Sequence, residues 1–328
     1  MKLLSKILFI LLLVSFMAAC QNHSDKKTSP EKNIKIGIII PLEHKALRAI
    51  VAGFSEKLRT LYNAPVEIKV MNAEGDPNIM RAILQQMRDA NYSMIVPVGT
   101  SATEMAESMI HNTPIVSLAA DFSEDARHKL NPCNIVCVHD EISSYKLLEF
   151  LHTAHPELKH LVLIHSAEDK VLPDVQKTVK AGFQVGIEVK PIMVATLPEL
   201  VAALQSLPDN TQGIFILKDN LIASGAPTIA KMAADKHIPF YTSDQGSVQS
   251  GAGFALGVRE KQIGEEGAKL AMAVLMDDSI STLSNVEMNK LTVFVNKNAL
   301  QLEQQNLTGI QDAAKKLNYN VEYVGDAA

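Results

Sequence analysis

From residue 34 onward the chain alternates short, β-branched apolar runs with amphipathic stretches of helical spacing, and this alternation restricts the fold more than any other feature. Residues 34–40 (IKIGIII), 66–70, 94–98, 115–119 and 135–138 read as strands. Between them, 46–61, 77–90 and 102–111 carry helical periodicity, as in Ile79, Ile83 and Met87. A repeated strand–helix beat predicts a parallel sheet covered on both faces. The beat then restarts, with helix 142–151, strand 161–164, helix 171–183, strand 189–194, helix 197–207, strand 214–217, helix 221–236 and strand 239–242. That is more strands than one sheet ordinarily holds, so the expected fold is α/β with two doubly wound parallel-sheet lobes. Strand 254–258, helix 262–276, strand 291–295 and terminal helical pieces follow a complete second lobe, which implies that the chain crosses back through several hinge strands. On this reading the first lobe takes 34–138 with 250–280, and the second takes 139–249 with 281–328.

The N-terminus carries an address. Lys2 and Lys6 precede an apolar run over 7–17 and then Ala18-Ala19-Cys20, the order of a signal peptide over 1–19. The run is shorter than the roughly 20 residues a membrane-spanning helix needs. Met17-Ala18-Ala19-Cys20 resembles the bacterial lipoprotein cleavage box, which implies that Cys20 becomes the new N-terminus and carries lipid; a plain secretory signal with an incidental cysteine is the alternative. Residues 20–33 are polar and aperiodic, with Pro30 near the end, and read as a flexible tether. A net charge of −5 excludes a nucleic-acid binder that works by bulk charge. Hydrophobic residues at 47% and charged ones at 20% are ordinary for a globular protein. The only cysteines, at 20, 133 and 137, exclude a disulfide-stapled scaffold. If Cys133 and Cys137 share an extended run they stand roughly 13 Å apart and cannot bond; a turn at Asn131-Pro132-Cys133 would bring them together.

In open parallel sheets a ligand binds beyond the carboxyl ends of the strands, so residues just past each apolar run are the site candidates. Gly99-Thr100-Ser101 opens a helix, where Gly99 allows close backbone approach, Thr100 or Ser101 suits an N-cap, and the positive helix end would receive a carboxylate. Asp219, with Asn220, and Asp244 follow strands of the second half. Each aspartate either holds an ammonium group by a charge-assisted bond or serves as an ordinary cap or turn residue. A carboxylate site facing an ammonium site describes a zwitterion, hence an amino acid. Glu43 and His44 follow the first strand and either cover the ligand or form a solvated loop, and Asp121 follows the fourth. Phe122, Phe240 and Tyr241 are the candidates to line the pocket for the zwitterion's apolar group.

Other chemistries find little support. Gly251 to Gly257 imitates a dinucleotide loop but precedes its strand, and neither a nucleophile elbow nor a Gly-x4-Gly-Lys loop occurs. His152-x-x-His155 has no evident third ligand and is followed by Pro156, so no metal or other cofactor is expected.

Taken together, Ile36-Gly37-Ile38-Ile39, Glu43-His44-Lys45-Ala46-Leu47, Asn72 to Asp76, Val98-Gly99-Thr100-Ser101-Ala102, Lys218-Asp219-Asn220 and Thr242 to Val248 fall in a distinctive order. In that order the chain from Ile34 to about Leu302 resembles the substrate-binding lipoproteins of bacterial ABC importers, in the subfamily associated with tryptophan and tyrosine uptake. The second segment is similar to that subfamily's Glu-His-Pro-Ala-Leu, whereas Ala119-Ala120-Asp121-Phe122 stands where Thr-Asp-Pro is common. The resemblance implies a type I periplasmic binding protein fold and a non-enzymatic, monomeric, lipid-anchored exported protein. Such a protein closes over an aromatic amino acid and presents it to an inner-membrane ABC permease. A sensory module serving a receptor kinase and a hydrolase using the cleft are the alternative readings.

Overall fold

The computed structural model describes residues 34–120, 134–276 and 278–325. The expectations for the signal peptide, Cys20, the tether, Asp121, Phe122 and Cys133 lie outside those residues. The first half runs β1 (Ile34–Ile40), α1 (Lys45–Leu61), β2 (Val66–Asn72), α2 (Pro77–Asp89), β3 (Met94–Pro97), α3 (Thr100–Met109), β4 (Ile115–Leu118) and β5 (Ile135–His139). The second runs α4 (Ser144–Ala154), β6 (His160–Ser166), α5 (Leu172–Val185), β7 (Glu188–Val194), α6 (Leu197–Gln205), β8 (Gly213–Ile216), α7 (Asn220–Ser224), α8 (Ala226–Lys236), β9 (Phe240–Thr242), α9 (Gln245–Gln249) and β10 (Phe254–Gly257). The chain ends with α10 (Glu260–Leu275), β11 (Val286–Glu287), β12 (Thr292–Val295), α11 (Lys297–Leu302), α12 (Leu307–Lys316) and β13 (Asn320–Tyr323).

These strands form two sheets, ordered β11-β5-β4-β3-β1-β2 and β13-β12-β10-β9-β8-β6-β7. Every pairing is parallel except β10 with β12. This is the expected α/β architecture of two doubly wound lobes. Strand alternation explains why the strands read as continuous apolar runs. Ile36, Ile38 and Ile40 of β1 face a core shared with the second lobe, while Ile39 faces a separate core with Met80, Leu84 and Ile95. In the second sheet Phe215 faces the shared core, and Ile214 and Ile216 the outer one.

The crossings differ from the expected boundaries. β10 pairs with β9 and β12, so 254–257 belong to the second sheet and not to the first lobe with the rest of 250–280. α10 then leaves that sheet to pack on α1 and β4, and β11 joins the edge of the first sheet at β5 although 281–328 was expected in the second lobe. The predicted helix 221–236 is two helices, α7 and α8, broken at Gly225-Ala226-Pro227. β13, expected as helical, is a four-residue edge strand parallel to β12.

Two glycines set the α1–α10 contact. A Cβ on Gly264 would lie 2.0 Å from the carbonyl oxygen of Ile50 and 2.5 Å from the Phe54 nitrogen, and one on Gly53 would lie 2.1 Å from the Lys261 oxygen. The obstacles are backbone, which cannot swing aside. We therefore expect Gly264→Ala to destabilise the protein by about 1–3 kcal/mol through overpacking, read as a lowered melting temperature; an unchanged melting temperature would mean that the helices separate without cost.

Candidate functional site

Both sheets reverse strand order once, β1 lying between β2 and β3, and β6 between β7 and β8. Loops leaving the carboxyl ends at such a point diverge and open a crevice. The two crevices face each other across a cavity of about 120 Å³, a size comparable with one that holds a benzene molecule. Its wall comes from residues just past the strands: His44 after β1, Gly99 and Thr100 after β3, Asp140 after β5, and Lys170 after β6. Lys218, Asp219 and Asn220 follow β8, Ser243 and Asp244 follow β9, and Glu260 follows β10. The apolar part is aliphatic, with Leu47, Ile50, Leu147, Val171, Leu217 and Val258.

The helix ends in the wall differ between the lobes, while charges of both signs line it, with Asp140 on the first lobe and Lys170 and Lys218 on the second. On the first lobe, α1 and α3 begin at His44 and Gly99 with no side-chain cap, so neither N-cap residue closes its own positive helix end at the cavity. Gly99 is itself the N-cap, at φ +88° where other residues are strained. On the second lobe α5 likewise begins at Val171 without a side-chain cap, whereas α7 and α9 are closed by carboxylates. Asp219 accepts the amides of Ile222 at 3.3 Å and Ser166 at 2.6 Å. Asp244 accepts the Ser247 amide and the Thr242 hydroxyl, each at 2.7 Å. Beside them Lys218 donates to the Asp140 carboxylate at 2.6 Å. Glu260 is buried, and burial together with the charge of Asp244 pushes its carboxyl up to about 8.

The lobes touch across the cleft. The His44 imidazole Nε2 and the Asn220 side-chain oxygen are 3.1 Å apart, and burial pushes His44 below its usual range, so the neutral ring donates here. The Lys45 ammonium donates to the Gln249 carbonyl at 2.5 Å, and the Lys170 ammonium to the Ser101 hydroxyl at 3.4 Å. Glu260, at the start of α10, accepts the amide of Gly246 in α9 at 3.1 Å. The arrangement is a closed one.

Of the residues expected from sequence, His44, Gly99, Thr100, Asp219, Asn220 and Asp244 line the cavity, and Ser101 meets Lys170 at its edge. Glu43 does not: it lies just before α1, exposed, and pairs with Arg48 of that helix's first turn at 3.1 Å. Phe240 and Tyr241 do not line it either. β9 is an interior strand covered on both faces, so Phe240 points into one core and Tyr241 into the other, where it packs on Phe254 and His155. Each oxygen of Asp219 and Asp244 accepts one of these bonds, so both aspartates fill the cap role that was one of the two weighed for them. Asp140, Lys170, Ser243 and Glu260 were missed, although each follows a strand and obeys the positional rule that found the others.

Comparison with known proteins places this geometry. The model of the family described as ABC transporter substrate binding protein matches residues 35–321. An uncharacterized protein of Rickettsia prowazekii is 35% identical over 305 residues, covering 92% of this chain and 93% of that one. A tyrosine-binding protein of Clostridioides difficile is 26% identical over 323 residues, covering 94% of each. Among solved structures, the ABC domain in complex with L-Trp from Streptococcus pneumoniae superposes with a TM-score of 0.78 at 20% identity, covering 88% of this chain and all of that one. A type I periplasmic binding fold and a family match over nearly the whole described chain lead to one conclusion: the chain belongs to the ABC transporter substrate binding protein family.

Proposed function

We propose that this chain is the substrate-binding lipoprotein of an importer, capturing a free aromatic L-amino acid between its lobes as a monomer tethered through lipid on Cys20. Substrate-binding proteins of ABC transporters are extracytoplasmic, bind small molecules and deliver them to a permease, a binding role and not a catalytic one. The observation that carries the ligand reading is that one cavity wall holds both helix N-termini without a side-chain cap, at His44 and Gly99, and the carboxylates of Asp219, Asp244 and Glu260. A zwitterion satisfies both at once, its carboxylate on the amide-bearing ends and its ammonium toward the acids. Because it needs both lobes, it favours the closed arrangement and drives closure by differential affinity. The aromatic preference is supported by the tyrosine-binding relative and the L-Trp complex, whereas the described wall offers aliphatic surface.

A thermal-shift screen of the twenty amino acids tests this. At a thousandfold excess over Kd a ligand stabilises by about 4 kcal/mol, raising the melting temperature by roughly 5–10 °C. Tyrosine or tryptophan should do so, and the N-acetyl derivative and methyl ester of the same amino acid should not. A response to the derivatives equal to that of the parent would reject the zwitterion. Since the chain contains no Trp, bound tryptophan is the only indole present, and its emission should shift to the blue on titration. For the anchor, labelling with a fatty-acid analogue should mark the wild type and disappear in Cys20→Ser; label that persists in the variant would end the lipoprotein assignment.

A further inference from the structure

One wall residue is left incomplete by the fold. Glu260 is only 4% exposed, and while its Oε1 accepts the Gly246 amide, its Oε2 has no partner among the described residues. Neither protonation state repairs this, since a carboxylate oxygen would lack a donor and a hydroxyl an acceptor, a costly condition for a buried group. Ser243, 3% exposed on the same wall, has a hydroxyl in the same condition. Asp219 and Asp244 differ, because their oxygens are occupied by backbone amides and a hydroxyl. We infer that Glu260, backed by Ser243, is the direct partner of the ligand's ammonium group. This rests on the amino-acid reading proposed above and moves the ammonium contact away from the two aspartates.

A proton is linked to that contact. Burial and Asp244 oppose the ionisation of Glu260 and outweigh the Gly246 and Gln245 amides and Lys218, which favour it; Lys218 is itself bonded to Asp140, and Arg259 is turned to Glu322 at 2.7 Å. Lys170 is paired with Glu168 at 3.1 Å, and His44 is held neutral by burial. With the carboxyl raised to about 8, the empty protein holds a proton on Glu260 at neutral pH. An ammonium group brings N–H donors and a positive charge, favours the carboxylate, and sends that proton to solvent. Affinity should then rise with pH by up to about tenfold per unit below 8 and level off above it.

Calorimetric titration of the lipid-free mature chain with L-tyrosine at pH 7, in two buffers of different ionisation enthalpy, counts the protons. We expect release of about 0.9 proton per ligand, the fraction of Glu260 protonated at that pH. Glu260→Gln keeps an oxygen for the Gly246 amide, and should bind L-tyrosine at least 30-fold more weakly with no proton release. The desamino analogue 3-(4-hydroxyphenyl)propionate should bind both proteins alike. Wild-type binding without proton release overturns the inference whatever the variant does, and so does full affinity in a folded Glu260→Gln. If L-tyrosine is silent, the strongest amino acid from the thermal screen and its desamino analogue take its place; silence from all twenty overturns the binding reading itself.

Discussion

The contact of α1 with α10 is the constraint from which the cleft follows. Both helices begin at the cavity, α1 at His44 and α10 at Glu260, and their backbones meet where Gly53 and Gly264 leave no side chain between them. Helices in ordinary contact stand 8–10 Å apart, and small residues permit the closer end. That approach fixes where Glu260 stands relative to α9, whose Gly246 lies so near Ala46 that a Cβ would sit 2.4 Å from the Ala46 nitrogen. The cleft thus closes on backbone against backbone, a surface that either fits or does not.

The division of polar labour inside the cleft follows from what each helix end already owns. Where a carboxylate caps its own helix, as Asp219 and Asp244 do, its negative charge is spent largely on local amides and helps to hold the loop. Where the cap is glycine or histidine, the helix keeps its orphan amides for something from outside.

Much of this was legible in the sequence. The IKIGIII run could be placed because a parallel strand buried on both faces needs no alternation, and β1 spans those very residues. The loops after β3, β8 and β9 followed from the rule that ligands gather at carboxyl ends. β13 escaped because Asn320–Tyr323 is an edge strand with two apolar residues, too short for any period to show. The aromatic lining was misplaced for a different reason: an interior strand commits both its faces to cores, so Phe240 and Tyr241 had no route to the cleft. Glu260 was hidden by its company, since Glu260 and Lys261 read as the charged start of a helix, and only packing reveals that one is buried and the other exposed.

The crossings impose an order of assembly. The first sheet is made from the first strands to emerge, yet the helix that seals it against Leu118 lies at 260–275, after all of the second lobe through β10. Its edge strand, β11, comes later still. During vectorial synthesis or export the second lobe's central strands can pair among themselves, whereas the apolar surface over β1 and β4 waits uncovered for some 140 residues. The first sheet thus waits unsealed while most of the second is made, so it is the segment most in need of protection on the way out.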